Sequence, residues 1–159
     1  MADKEIYRVT FVCTGNRMRS VMAEAILKEY LKEHEVHHIW VESAGTMMLS
    51  GAPAASETIK VCADNGLDVS AHRSQQITAG TLYQSDIVLV MEVAHVEYIR
   101  GMYPEFEEKV KTLKGFETGI DEDIEDPIGY AFDKFESTFA EIKVEIERVI
   151  PVILNRAED

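Results

Sequence analysis

The stretch that most constrains this chain is Cys13-Thr14-Gly15-Asn16-Arg17-Met18-Arg19-Ser20. Before it, Ile6 to Val12 carry β-branched and aromatic side chains almost without a break, as a strand buried on both faces does. After it, from Ser20 to about Glu33, Val21, Met22, Ala25, Ile26 and Tyr30 alternate at helical spacing with Glu24, Lys28, Glu29 and Lys32. The eight residues between are therefore a strand-to-helix turn. Gly15 and Asn16 tolerate the left-handed backbone that turns successive amides inward, and the following helix aims the positive end of its dipole at the same spot. Such a turn suits a tetrahedral oxyanion.

The residue types add chemistry. A thiol attacks as thiolate, and inward amides, an arginine and a helix N-terminus all favour that form at Cys13. Arg19, six positions on, is always charged and can hold two oxygens of a phosphoryl group as charge spreads in the transition state. Thr14, Gly15, Asn16, Arg17 and Met18 supply the loop around the anion, and Ser20 is placed to donate to the sulfur. A lone cysteine ending a buried strand is as a rule a small core residue. The whole strand, loop, arginine, serine and helix context favours the nucleophile.

The remaining sequence sets limits on partners and fold. A formal charge of −13 and a pI near 4.8 argue against nucleic acid or an anionic membrane, so local arginines must create any positive pocket. No apolar run approaches the ~20 residues of a membrane span, and no basic, apolar leader precedes the first strand. Two cysteines, Cys13 and Cys62, form neither a disulfide framework nor a zinc site, which leads us to expect a cytoplasmic protein. The length of 159 residues suits one domain spanning the chain.

A second strand is expected at Ile39–Glu42, completing a right-handed βαβ unit. Adjacent strand residues His37 and His38 point to opposite faces, so with His34 they read as surface residues and not as a metal site. Pro53 is expected in the first turn of a helix that ends at Asn65-Gly66 and carries Cys62 on its apolar side. Further strands are expected at Asp86–Met91 and Val110–Leu113, with a short helix at Val93–Arg100 between them. A loop from Lys114 to Gly129 is long enough to be functional. Its acids Asp121, Glu122 and Asp123 read as solvated surface, and a calcium loop starting at Asp121 fails because Asp126 and Phe132 occupy the positions that need Gly and Glu. Asp126 stands apart, because Pro127 stiffens the backbone that presents it. Phe132, Phe135, Phe139, Ile142, Ile146 and Val149 form a core-facing helical stripe ending before Pro151. Alternating strands and helices define an α/β fold with an open parallel sheet, and ligands then bind outside the strands' carboxyl ends.

The loop, together with Ser43-Ala44-Gly45-Thr46, His72-Arg73-Ser74 and Glu125-Asp126-Pro127, resembles the low-molecular-weight protein tyrosine phosphatases over nearly the whole chain. The order, nucleophile first and Asp126 more than a hundred residues later, selects this family among those sharing the cysteine-to-arginine spacing. The resemblance implies a three-layer fold on a four-stranded parallel sheet in order 2-1-3-4. It further implies Ser43 bonded to Asn16, His72 near the base of the loop, and Asp126 as general acid. It implies metal-independent hydrolysis of phosphorylated proteins, most readily phosphotyrosine, through a phosphocysteine, with no cofactor and with phosphate and other oxyanions as inhibitors.

Several positions depart from the pattern. Met18 replaces a second loop cysteine, so a loop-internal disulfide is unavailable. Arg17 replaces an aliphatic residue or a threonine and is expected to rim the pocket, while Val21 replaces a proline. Ile128-Gly129 follow Pro127 where tyrosine-directed members often place an aromatic residue, resembling the bacterial branch that includes protein arginine phosphatases. That activity, and a non-catalytic oxyanion-binding module, remain alternatives. Arsenate reductases on this scaffold need further cysteines and are disfavoured. The protein substrate and the oligomeric state stay open.

Overall fold

A computed structural model describes residues 5–158. Four strands, β1 (Tyr7–Cys13), β2 (Ile39–Gly45), β3 (Ile87–Val90) and β4 (Val110–Thr112), form one parallel sheet in the order β2-β1-β3-β4. Five α-helices accompany them: α1 (Arg19–Glu33), α2 (Ser56–Asp64), α3 (Ala79–Gln84), α4 (Val93–Met102) and α5 (Phe132–Glu158). A 3₁₀ segment, Pro104–Lys109, leads into β4.

The period-two alternation of β1 divides the core. Val9, Phe11 and Cys13 face the layer of α1, α2 and α5, where Met22, Leu27, Val61, Phe135, Ile142 and Ile146 complete the larger cluster. Val12 points the other way with Ala44, Val88 and Val90, beneath Leu82 of α3 and Val96 and Ile99 of α4. The expected three-layer α/β architecture and strand order are both present. After β1 the chain adds β2 on one side and β3 on the other, so the carboxyl end of β1 is a topological switch point. Cys13 is its last residue.

Four local expectations need correction. β2 runs to Gly45 and not to Glu42, because its pairing with β1 continues through Phe11↔Ser43, Val12↔Ala44 and Cys13↔Gly45. Pro53 lies outside α2, which begins at Ser56 behind an Ala55 N-cap. The short helix α3, absent from the sequence reading, is capped by Thr78, whose hydroxyl accepts from the Thr81 amide. Finally, α5 passes through Pro151. That proline lacks the N–H for one helical hydrogen bond but lies on the exposed face, while Ile150 and Ile153 on either side are buried and hold the helix in register.

Candidate active site at the end of the first strand

The turn after β1 is built around Asn16. Its φ of 53° is the left-handed conformation that a short polar side chain tolerates, and the residue is fully buried. The Asn16 carboxamide donates to Ser20 Oγ at 2.8 Å and to Ser43 Oγ at 2.9 Å, and its oxygen accepts from the Gln75 amide at 3.0 Å. Its backbone carbonyl accepts from His72 Nε2 at 2.7 Å, which puts a proton on that ring nitrogen. Ser43 in turn donates to Glu24 of α1. Ser43 and His72 thus both bond to Asn16. Gly15 differs from expectation: it is not among the positive-φ residues, and a Cβ there would meet only open space. The glycine that sterics require is Gly45, where a Cβ would come within 2.6 Å of the Thr14 carbonyl oxygen and 3.0 Å of the Asn16 nitrogen.

Cys13 Sγ lies 2.9 Å from Ser20 Oγ. Because Ser20 Oγ accepts from Asn16, its own hydrogen is free for the sulfur. Helix α1 begins without a side-chain cap at Met18 and without an acidic residue in its first turn, so its leading amides and dipole remain available to an anion. Arg19 is 1% exposed. Its Nη1 donates to Glu92 Oε2 and to the Ile124 carbonyl, both at 2.6 Å, while Nη2 reaches Asp126 Oδ2 at 3.4 Å and Thr14 Oγ1 at 3.5 Å. One edge of the guanidinium fork is therefore anchored and the other is turned toward Thr14 and Asp126.

Asp126 is held in an Asx-type turn, its Oδ1 accepting from the Ile128 amide at 3.0 Å. The acidic stretch before it is more than solvated surface. Asp121 accepts from Thr112 Oγ1 of β4 at 2.7 Å, and Asp123 from the Val93 amide at the start of α4 at 2.8 Å. Ile124, fully buried, donates its amide to the Met91 carbonyl at 2.8 Å. The loop is thereby laid along the carboxyl edge of the sheet.

These residues enclose a pocket of about 160 Å³. Cys13, Thr14, Gly15 and Arg19 line it, together with Met47, Leu49 and Ile128 as apolar walls and Arg17, Met18 and Asp126. Arg17 is tied back by a 2.9 Å bond from Nε to the Pro53 carbonyl. A larger cleft of about 710 Å³ beside β4 contains none of these groups; it is lined by opposing charges such as Lys109, Arg156, Glu105 and Glu117, and chemistry favours the smaller pocket. Glu92, His95 and Leu49 are contributors that the sequence reading missed. The position of Glu92, just past β3 at the ligand-binding edge, was the available signal. Burial, reinforced by the Arg19 cation and opposed by Asp123 and Asp126, lowers the His95 pKa to about 4. Burial pushes the Cys62 thiol up to about 12.

A doubly covered parallel sheet with a thiol, a buried arginine and a carboxylate around one oxyanion-sized pocket at its switch point defines the scaffold of a cysteine-dependent phosphatase. Residues 8–157 match the sequence model of the low molecular weight phosphotyrosine protein phosphatases, and the chain belongs to that family. It is similar to a protein-arginine-phosphatase of Geobacillus stearothermophilus, with 34% identity over 90% of this chain and 93% of the relative. It is likewise similar to the low molecular weight protein-tyrosine-phosphatase Wzb of Escherichia coli K12, with 33% identity over 88% of each. The crystal structure of a low molecular weight protein tyrosine phosphatase from T. tengcongensis superposes with a TM-score of 0.85 at 36% identity, covering 91% of this chain and 98% of that one. Among the described residues no helix is long and apolar enough to cross a membrane.

Proposed function

We propose that this chain, as one phosphatase domain over residues 1–159, hydrolyses phosphotyrosine on proteins through a phosphocysteine at Cys13. The observation that carries the reading is the convergence of Cys13, Arg19 and Asp126 on one pocket, with Asp126 Oδ2 3.4 Å from Arg19 Nη2. Cys13 Sγ attacks phosphorus, and the bond from phosphorus to the tyrosine oxygen breaks while the Asp126 carboxylic acid gives its proton to that oxygen. Water then attacks the phosphocysteine with the Asp126 carboxylate taking its proton. The S–P bond breaks, and the leaving thiolate accepts a hydrogen bond from Ser20. Arg19 and the amides of Thr14 to Arg19 hold the nonbridging oxygens throughout, where preorganised donors act most strongly. No step asks for a metal. Phosphate and other oxyanions compete for the same loop.

Substrate choice rests on the walls. Met47, Leu49 and Ile128 offer apolar surface to a phenyl ring. Phosphoarginine brings a guanidinium leaving group, which the Arg17 guanidinium at the pocket mouth repels. The similarity to arginine phosphatases keeps phosphoarginine as the second reading. The two unpaired cysteines support a cytoplasmic setting.

Hydrolysis of an aryl phosphate with chelator present, by the intact protein and by Cys13→Ser, tests the mechanism; phosphotyrosyl and phosphoarginyl peptides then test selectivity. Chelator-resistant turnover lost in the variant, with phosphotyrosine preferred, is the expected outcome. Absence of turnover by folded, reduced protein that still binds vanadate would favour a binding module, and preferred phosphoarginine cleavage would reverse the substrate assignment.

A further inference from the structure

Thr14, the first residue after the nucleophile, is held from behind by a residue of a different element. His95, in the first turn of α4, is 4% exposed and places Nε2 2.9 Å from Thr14 Oγ1. Its other ring nitrogen, Nδ1, lies 3.1 Å from the Glu92 backbone nitrogen. A backbone N–H can only donate, so Nδ1 is the bare, accepting nitrogen and the ring proton of the neutral imidazole sits on Nε2. His95 therefore donates to Thr14, and Arg19 Nη2 approaches the same oxygen at 3.5 Å. With incoming hydrogens on its oxygen, the Thr14 hydroxyl keeps its own hydrogen for the pocket that Thr14 lines beside Cys13. The network closes on itself, since Glu92 also anchors Arg19 Nη1 at 2.6 Å. Burial keeps the imidazole neutral, the form this arrangement needs.

Resting on the hydrolase reading above, we propose that His95 is a positioning residue that fixes the Thr14 hydroxyl as a hydrogen-bond donor to a nonbridging oxygen of the phosphoryl group in transfer. Ser20 already serves the sulfur, and Arg19 and the loop amides serve the other oxygens, so Thr14 adds a neutral donor oriented before the substrate arrives. A donor of this kind contributes most where charge develops on the transferring group. Its loss should lower kcat more than it raises KM.

The experiment uses steady-state hydrolysis of an aryl phosphate by wild type, Thr14→Val, His95→Asn, His95→Gln and the double variant Thr14→Val/His95→Asn, with melting temperatures measured for each. Asparagine can still accept from the Glu92 amide but cannot reach Thr14, whereas the longer glutamine carries a donor nitrogen near the place of Nε2. We expect Thr14→Val and His95→Asn each to lose about ten-fold in kcat with KM changed less than about three-fold, the double variant to lose no more than the worse single one, and His95→Gln to recover most of the rate. Wild-type kcat in Thr14→Val, multiplicative losses in the double variant, or a His95→Gln enzyme that melts normally yet is no faster than His95→Asn would overturn the proposal. If His95→Asn does not fold, Thr14→Val and His95→Gln decide the matter. An inactive wild type strikes the hydrolase reading itself, and this inference falls with it, whereas an active wild type with unaffected variants removes the role of His95 alone.

Discussion

Asn16 and Ser43 meet at 2.9 Å across the gap between the phosphate loop and β2, and the same carboxamide also reaches Ser20 and the Gln75 amide. One buried side chain thus ties the loop to three separate segments. Replacing Asn16 by Ala leaves the Gln75 amide without its acceptor and is expected to cost about 2–4 kcal/mol, against about 1 kcal/mol for Ser43→Ala. Urea unfolding measures both; equal costs would mean that Asn16 does not organise the loop.

Asp126→Asn removes a transferable proton while retaining an acceptor for the Ile128 amide. A loss of about 10²–10⁴ in kcat is expected for phosphotyrosyl peptide, with a smaller loss for p-nitrophenyl phosphate, whose leaving group needs less protonation. The comparison of the two substrates checks the assignment. Equal losses would move Asp126 from proton donor to a purely electrostatic part.

His95 makes the fold sensitive to acid. Its folded pKa of about 4 lies below the ordinary 6.5, so between these values the unfolded chain binds a proton that the native protein does not, and stability falls as pH drops through that window. The full contribution is about 3 kcal/mol, present above pH 6.5 and lost by pH 4. The difference in unfolding free energy between wild type and His95→Gln should change by that amount between pH 6.5 and pH 4. Parallel curves would show that His95 titrates alike in both states.

The two thiols should behave as opposites. Cys62 is fully buried with a pKa raised to about 12, whereas Cys13 lines the pocket. Iodoacetate should label Cys13 alone in the folded protein, with phosphate protecting it, and mass spectrometry locates the adduct. Under peroxide, oxygen additions at Cys13 are expected and an intramolecular disulfide is not, because Met18 stands in the loop where a partner thiol would be. Modification of Cys62 at a comparable rate would contradict its burial.

Gly45→Ala forces a methyl against the Thr14 carbonyl and the Asn16 nitrogen, both backbone atoms of the loop. A destabilisation of about 1–3 kcal/mol is expected. A larger fall in vanadate affinity than in Gly15→Ala would locate the strain, since a Cβ at position 15 meets no protein atom within 4 Å.

Strong periodicity made β1, α1, β3 and the stripe of α5 legible from residue order, because burial on a strand or helix face demands it. The oxyanion loop was legible because its residue types carry the chemistry. What escaped were features decided by contacts distant in sequence. Six-residue α3 has too little pattern of its own, and β2 is prolonged by the partner strand it lies beside. Pro151 is tolerated only because buried neighbours on either side outweigh one missing hydrogen bond. Glu92 and His95 acquire their places behind Arg19 and Thr14 only through contacts far apart in the chain. Asp121 and Asp123 looked like solvated acids because neither Thr112 nor the Val93 amide is near them in the chain.

The segment bearing Asp126 is fastened to β4 by Asp121, to α4 by Asp123, and to Met91, just past β3, and Arg19 by the two backbone groups of Ile124. An acid delivered by a hinged cover must wait for that cover on each cycle. In the mechanism proposed above, Asp126 as proton donor is instead held on the same frame as Cys13. In that mechanism no closing movement of a separate cover is needed to bring the acid to the pocket.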